Sequence, residues 1–146
     1  MNRALEAVPQ VATSAAQAAV VAITPYPEEA AALNALLTAH RYPVREARSW
    51  EQARLILERE AVAVLLVESE LDGAGWKEIL RETMSLPNPP QVIVMSRCPD
   101  ETLWVEVLTM GGYDLLAKPF EPDQVLWEVN FANRCWHDLA RRERRT

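Results

Sequence analysis

One apolar run constrains the fold of this chain more than any other feature. It begins at Ala61 and ends abruptly at Glu68, with no polar residue between them. A strand with one face in water alternates apolar and polar residues, so this pattern predicts a strand covered on both faces, as in the middle of a parallel sheet. In open parallel sheets, ligands and chemistry lie beyond the carboxyl ends of the strands. Glu68 therefore either belongs to a functional site or is only the first solvated residue after the strand.

The rest of the chain alternates strands with helices. Two more buried strands are predicted at Ala19–Ile23 and Gln91–Ser96, and two shorter strands at Val44–Ala47 and Asp114–Ala117. Apolar residues at helical spacing fill the intervals between them. The final helix has an inward apolar stripe formed by Val125, Val129, Ala132, Trp136 and Leu139. Five strands alternating with five helices predict an α/β fold with a parallel sheet and helices on both of its faces.

Composition and charge narrow the classes of function. The chain has 146 residues and a net charge of −6, which fits one domain and argues against nucleic-acid binding, since such domains carry a basic surface. Cys98 and Cys135 form no CxxC motif, so we expect a reducing, cytoplasmic setting. No apolar run approaches the roughly 20 residues that cross a bilayer, and no membrane association is expected. We divide the chain into a tail at 1–18, one domain at 19–140 and a basic end at 141–146.

Residues 111–120 read GGYDLLAKPF. Together with a strand that ends at Ser96 and five strand–helix units, this motif resembles the receiver domain of bacterial response regulators. The resemblance covers nearly everything but the tail and implies a flavodoxin-like (βα)5 fold with parallel strands in spatial order 2-1-3-4-5. It also implies that Ser96 and Lys118 are the family's conserved hydroxyl and lysine, and that the Lys118–Pro119 peptide bond is cis. Glu68 falls where the family has its phosphate-accepting aspartate.

The positions that hold a metal ion in that family are altered. Receiver domains bind Mg²⁺ with two acidic residues at the end of the first strand, where this chain has Thr24 and Pro25. Glu28 and Glu29 lie too far along the chain to be obvious substitutes. Mg²⁺ requires hard oxygen ligands, so we expect weak Mg²⁺ binding or none. We assign no catalytic residue, metal ion or cofactor, and we do not expect an enzyme.

Two further departures concern the phosphorylation site itself. Glu68 carries one more methylene than aspartate, and Leu115 replaces the family's switch aromatic. Phosphoryl transfer depends on positioning and on neutralising charge, so we predict that the usual Mg²⁺-dependent phosphorylation is lost. Glu68 is then either a residue without a role in a site that has lost its function, or the partner of Lys118 in an ion pair that holds the domain in one state. The retention of Ser96 and Lys118 favours the pair, and we expect these two charged groups to lie within ion-pair distance.

The resemblance also implies a contact surface. In the family, the face made by the fourth helix, fifth strand and fifth helix carries dimer and partner contacts. Trp104, Val105, Trp127 and Phe131 are the candidates here, because both helices have more apolar residues than one buried stripe requires. We expect a homodimer or a complex with a signalling partner, either a histidine kinase or an output protein. No output domain follows residue 139, so we expect the regulated protein to be a separate chain.

Two alternative functions stay open at this point. One is a functional response regulator that accepts phosphate on an unusual residue. The other is a flavodoxin-like cofactor binder, which would need a phosphate-binding loop rich in serine, threonine and glycine after the first strand. Residues 24–29 read TPYPEE, with two prolines and no glycine. The cofactor binder is therefore the weaker alternative.

Overall fold

The computed structural model describes residues 18–145, with side chains as far as residue 143. The strands are β1 (Ala19–Ile23), β2 (Val44–Ala47), β3 (Val62–Glu68), β4 (Gln91–Ser96) and β5 (Asp114–Ala117). The helices are α1 (Pro27–Ala39), α2 (Trp50–Arg59), α3 (Trp76–Met84), α4 (Glu101–Thr109) and α5 (Pro122–Arg145). Most of the predicted tail lies outside the described residues, and Ala18 at its end is buried.

The five strands form one parallel sheet in the order β2-β1-β3-β4-β5. This confirms the predicted α/β, flavodoxin-like architecture with β3 at the centre. Leu66 of β3 is in register with Ala22 of β1 on one side and with Ile93 of β4 on the other. Every residue of β3 is buried, which is the physical reason that its sequence shows no alternation.

The side chains of β3 point alternately into two apolar layers. Leu66 packs with Leu33 of α1 and Val129 of α5 on one face of the sheet. Leu65 packs with Ile79 of α3 on the opposite face, which α2 and α4 also cover. The helices therefore lie two on one face and three on the other, and the carboxyl ends of the strands meet at one open edge.

Side-chain caps fix where two of the helices begin. Ser49 Oγ accepts a hydrogen bond from the Gln52 amide at 3.3 Å before α2, and Asp100 Oδ1 accepts one from the Leu103 amide at 2.8 Å before α4. Each bond satisfies a backbone donor that has no partner within its helix. After α4, Gly111 has a φ of +99°, a conformation that favours glycine.

The last helix departs from the predicted stripe at its far end. Val125, Val129 and Ala132 are buried, but Trp136 is only half-buried and Leu139 is 44% exposed. The prediction for Leu139 is wrong because α5, with 24 residues, extends past the core that the sheet provides. In the part of the chain that the structure describes, no helix is long and apolar enough to span a bilayer.

We predict that Leu66→Ala destabilises the fold by about 3 kcal/mol, since it leaves a cavity in a layer with little room to relax. Leu55→Ala is the matched control, because Leu55 is 51% exposed, and it should change stability by less than about 0.5 kcal/mol. Urea unfolding of both variants measures the difference. Equal effects would contradict the burial of the central strand.

Candidate functional site

The ends of four parallel strands bring polar side chains to one edge of the sheet. Glu68 is the last residue of β3, and Ser96 is the last residue of β4. Thr24 directly follows β1, and Lys118 directly follows β5. All four residues are buried, and Glu68 is only 1% exposed. The interpretation of Glu68 as the first solvated residue after the strand is therefore wrong.

Lys118 forms an ion pair with Glu68 at this edge. The Lys118 ammonium contacts Glu68 Oε1, and both side chains are almost completely buried. The predicted approach of these two groups is therefore present in the structure. A charge in a low-dielectric setting is costly unless it is paired, so the contact offsets part of the cost of burying these two groups.

A second carboxylate joins the pair. Glu29, in the first turn of α1, accepts a hydrogen bond from Lys118 Nζ through Oε2 at 2.8 Å. Its other oxygen, Oε1, accepts a hydrogen bond from Thr24 Oγ1 at 3.2 Å. Glu29 was considered only as a substitute metal ligand, and its contact with Lys118 was not predicted. The short turn after β1 places α1 above the sheet edge and brings Glu29 to the lysine. Lys118 is thus held between two carboxylates.

The second oxygen of Glu68 is also occupied. Glu68 Oε2 accepts hydrogen bonds from the Glu70 amide at 2.9 Å and from Ser69 Oγ at 3.3 Å. Both donors belong to the two residues that follow β3, so the turn wraps around the carboxylate. The group is oriented from both sides, by the turn on one oxygen and by Lys118 on the other.

Aromatic and basic side chains cover the ion pairs. The Tyr26 ring, in the turn between β1 and α1, lies 5.0 Å from Lys118 Nζ. The guanidinium of Arg97, which follows β4, lies 5.9 Å from the same ring centre. Both distances are within the range of cation–π attraction. The Tyr26 ring therefore lies close to both the buried ammonium of Lys118 and the exposed guanidinium of Arg97.

The remaining family positions support the backbone around the site. Ser96 Oγ accepts a hydrogen bond from the Cys98 amide at 3.1 Å, and the Ser96 carbonyl accepts one from the Lys118 amide at 2.9 Å. The Lys118–Pro119 peptide bond is cis, as predicted. Leu115 is half-buried against the apolar layer that includes Val107. Ser96 thus positions Lys118 through the backbone, while its hydroxyl bonds to the loop after β4.

The charges of the site favour a protonated lysine. Burial opposes the charged form of Lys118, but hydrogen bonds to Glu29 and Glu68 and their negative charges outweigh it, so the pKa of Lys118 is raised above its usual value. These residues do not fit Mg²⁺. Thr24 and Pro25 supply no carboxylate, and the ammonium already contacts both carboxylates that meet here.

The predicted contact surface lies beside the site, along α4, β5 and α5. Its apolar residues are strongly exposed, with Trp127 at 65% and Trp104 at 45%. Val105 and Phe131 are exposed as well, and the Trp127 and Phe131 rings meet edge to face at 4.9 Å. We call these four residues the aromatic face.

A pair of carboxyl groups lies at the aromatic face, and no local sequence pattern predicts it. The side chains of Glu128 on α5 and Asp114 on β5 share a hydrogen bond, and Asp114 Oδ1 also accepts one from Trp104 Nε1 at 3.1 Å. The pKa of Glu128 is raised to about 7. The main cause is desolvation by burial, and the hydrogen bond to Asp114 and the charge of Asp114 add to it. Glu128 and Asp114 are 14 positions apart, so only the fold brings them together.

Comparison with known proteins gives the family. Residues 20–130 match the model of the response regulator receiver domain. The chain is 29% identical over 105 residues to the regulatory protein VirG of Rhizobium rhizogenes, covering 72% of this chain and 44% of that protein. It is 33% identical over 88 residues to a putative NtrX-like response regulator of Rickettsia typhi, covering 58% of this chain and 18% of that protein. The chain therefore spans less than half the length of these regulators.

Solved structures agree on the fold. The signal receiver domain of a putative Luxo repressor protein from Vibrio parahaemolyticus superposes with a TM-score of 0.78 at 17% identity. The match covers 85% of this chain and 97% of that domain. This chain belongs to the response regulator receiver domain family of two-component systems.

We predict that Lys118→Met destabilises the protein by about 3–5 kcal/mol, because it leaves the buried Glu68 and the partly buried Glu29 without their cation. Adding Glu68→Gln to that variant should recover part of the loss, since one of the two charges is then removed. Lys77→Met is the matched control. Lys77 pairs with Glu106 at the surface, and its loss should cost less than about 1 kcal/mol.

Chemical denaturation of the four proteins gives the comparison. Similar losses of stability for Lys118→Met and Lys77→Met would contradict the buried ion pairs at the sheet edge.

Proposed function

We propose that this chain is a receiver-type signalling module that acts through protein–protein contacts and is not phosphorylated by the usual Mg²⁺-dependent route. The observation that carries the proposal is the Lys118 ammonium held between Glu29 and Glu68. The position of the phosphate-accepting group is occupied by a carboxylate that is already engaged on both oxygens. The module transmits a state and performs no catalysis.

The charges at the sheet edge oppose phosphorylation. A phosphoryl group brings negative charge that must be neutralised, normally by a metal ion and a lysine together. Here the lysine is shared by two carboxylates, and Thr24 and Pro25 supply no acidic ligand for a metal ion. The ion pairs therefore occupy the position that a phosphoryl group and a metal ion would need. They hold the edge of the sheet in one arrangement.

The partner is a protein of the same signalling system, either a histidine kinase or an output protein. We place the contact between the two proteins in the cytoplasm.

The aromatic face is the proposed contact surface. Exposed apolar patches of this kind mark protein interfaces more often than they mark plain surface. The same face carries charges of both signs, with Asp114 and Glu128 near one end of it and the exposed Arg134 further along α5. A face with both signs can complement a second copy of itself, so we propose self-association through it.

Phosphorylation by acetyl phosphate with Mg²⁺ tests the proposal. We predict no acid-labile phosphate on the protein, and none on Glu68→Asp alone, because the ammonium and the missing metal ligands are unchanged. Glu68→Asp combined with Thr24→Asp and Pro25→Asp should accept phosphate. Intact-mass spectrometry before and after acid treatment measures each protein.

Stable labelling of the unmodified chain would overturn the proposal in favour of a functional phosphoacceptor regulator. Mg²⁺ saturation in the micromolar range, seen at Glu68 by NMR, would also count against it. A yellow protein on purification would point instead to the flavodoxin-like cofactor binder.

A further inference from the structure

The first turn of α1 departs from the usual capping arrangement. Tyr26 is the residue before the helix, and Glu29 is at the third position within it. A glutamate at that position commonly reaches back and accepts a hydrogen bond from the amide of the residue before the helix, in the arrangement known as a capping box. Here that amide has another acceptor, because the Tyr26 amide donates to Thr24 Oγ1 at 3.1 Å. The Glu29 carboxylate is therefore available for other contacts.

The Thr24 hydroxyl also determines where that carboxylate goes. A backbone amide can only donate, so the Thr24 oxygen accepts from Tyr26 and its one proton remains free to donate. The hydroxyl donates it to Glu29 Oε1 at 3.2 Å. The other carboxylate oxygen, Oε2, accepts a hydrogen bond from Lys118 Nζ at 2.8 Å. One hydroxyl thus joins the Tyr26 amide to the carboxylate that holds Lys118.

The turn that carries these groups has little freedom to rearrange. The Thr24 amide donates to the Ala47 carbonyl of β2 at 3.1 Å, and Thr24 is only 2% exposed. Pro25 and Pro27 fix their own φ angles and restrict the residues before them to extended conformations. Tyr26, which precedes Pro27, is extended, with a φ of −98° and a ψ of 109°. The backbone therefore holds both the hydroxyl and the start of α1 in place.

We propose that Thr24 is the positioning residue of this site: by binding the Tyr26 amide itself, its hydroxyl turns the Glu29 carboxylate towards the buried ammonium. This inference rests on the proposed function and deepens it, since it names the group that keeps the site in one arrangement. The position that the family uses for an acidic residue thus has a different role in this chain. Its hydroxyl orients a carboxylate around the chain's own cation, Lys118.

Without the hydroxyl, the Glu29 carboxylate has a second place to bind. The Tyr26 amide would lose its acceptor, and a donor without a partner is costly away from water. The Glu29 carboxylate belongs to the same turn and can accept from this amide through the capping box. The Thr24 hydroxyl bonds to Oε1 and the lysine to Oε2, so movement towards the amide draws the carboxylate away from Lys118. Loss of the hydroxyl should therefore leave Lys118 with Glu68 as its main partner.

Thr24→Val tests this role, because it removes the hydroxyl and keeps the shape of the side chain. Hydrogen exchange of the Lys118 ammonium, followed by NMR on the full chain, should become roughly tenfold faster, as expected for the loss of one hydrogen bond to a charged group. Thr24→Ser keeps the hydroxyl and should exchange as slowly as the unmodified chain. Nuclear Overhauser contacts of the Glu29 side chain should move from Lys118 to the Tyr26 amide in Thr24→Val only.

A matched control separates this role from the general effect of losing a buried hydroxyl. Thr83 is completely buried, and its hydroxyl donates to the Ile79 carbonyl at 2.7 Å within α3. Thr83→Val should leave the exchange of the Lys118 ammonium unchanged, whatever its effect on stability. Equal acceleration by Thr24→Val and Thr83→Val would reduce Thr24 to a structural role and overturn the proposal.

A double-mutant cycle shows whether Thr24 acts through Glu29. Glu29→Ala removes the carboxylate and should by itself speed the exchange of the Lys118 ammonium. Adding Thr24→Val to it should have no further effect, because the group that Thr24 positions is already gone. Effects of the two substitutions that simply combine would contradict the proposal.

The unmodified chain gives a test that needs no variant. The side-chain protons of Glu29 should show nuclear Overhauser contacts with the Lys118 side chain, and the Tyr26 amide proton should show them with the Thr24 side chain. Contacts of Glu29 with the Tyr26 amide and none with Lys118 would mean an ordinary capping box. That result would exclude the positioning role of Thr24.

The outcomes distinguish this inference from the proposed function. Rapid exchange of the Lys118 ammonium in the unmodified chain would contradict the ion-paired site, and with it both proposals. Slow exchange that Thr24→Val leaves unchanged would contradict only the positioning role of Thr24.

Discussion

The buried contact of Lys118 with two carboxylates is the interaction on which the functional edge of this receiver domain depends. It ties three separate parts of the chain together: the end of β3 through Glu68, the start of α1 through Glu29, and the residue after β5. Ion pairs of this kind add little net stability over an apolar replacement, since desolvation offsets most of the attraction. Their effect is to fix geometry, because removing Lys118 leaves the buried Glu68 without its cation.

The same contact changes what the family's sheet edge can do. A receiver domain that is switched by phosphate must leave its lysine available to the incoming phosphoryl group. Here Lys118 is engaged by carboxylates of its own chain, and the Tyr26 ring lies 5.0 Å from its ammonium. We therefore propose a module whose conformation is fixed by its own ion pairs and not by phosphorylation. A partner protein binds that conformation through the aromatic face.

Much of the fold could be predicted from sequence, and the reasons are local. The unbroken apolar run before Glu68 is what a strand buried on both faces requires, and the burial of all of β3 agrees with it. The pairing of Glu68 with Lys118 followed from the ends of parallel strands meeting at one edge. Periodicity alone failed at Leu139, because it does not say where the core ends, and α5 extends beyond it.

The part of the site that could not be predicted depends on long-range contacts. An acidic residue in the first turn of a helix has a local explanation in the helix dipole, so Glu29 gave no sign that it would reach Lys118, 89 positions away. Glu128 and Asp114 meet only because α5 packs beside β5. Neither contact has a local sequence pattern, since each depends on how separate elements dock in the finished fold.

The most direct test of the central claim is the NMR spectrum of the lysine ammonium groups. The chain has two lysines, Lys77 and Lys118, so the exposed one serves as an internal control. We expect a slowly exchanging signal at neutral pH for the Lys118 ammonium, which its two carboxylates hold, and a rapidly exchanging signal for Lys77. Equally fast exchange for both groups would contradict a Lys118 that is buried between Glu29 and Glu68.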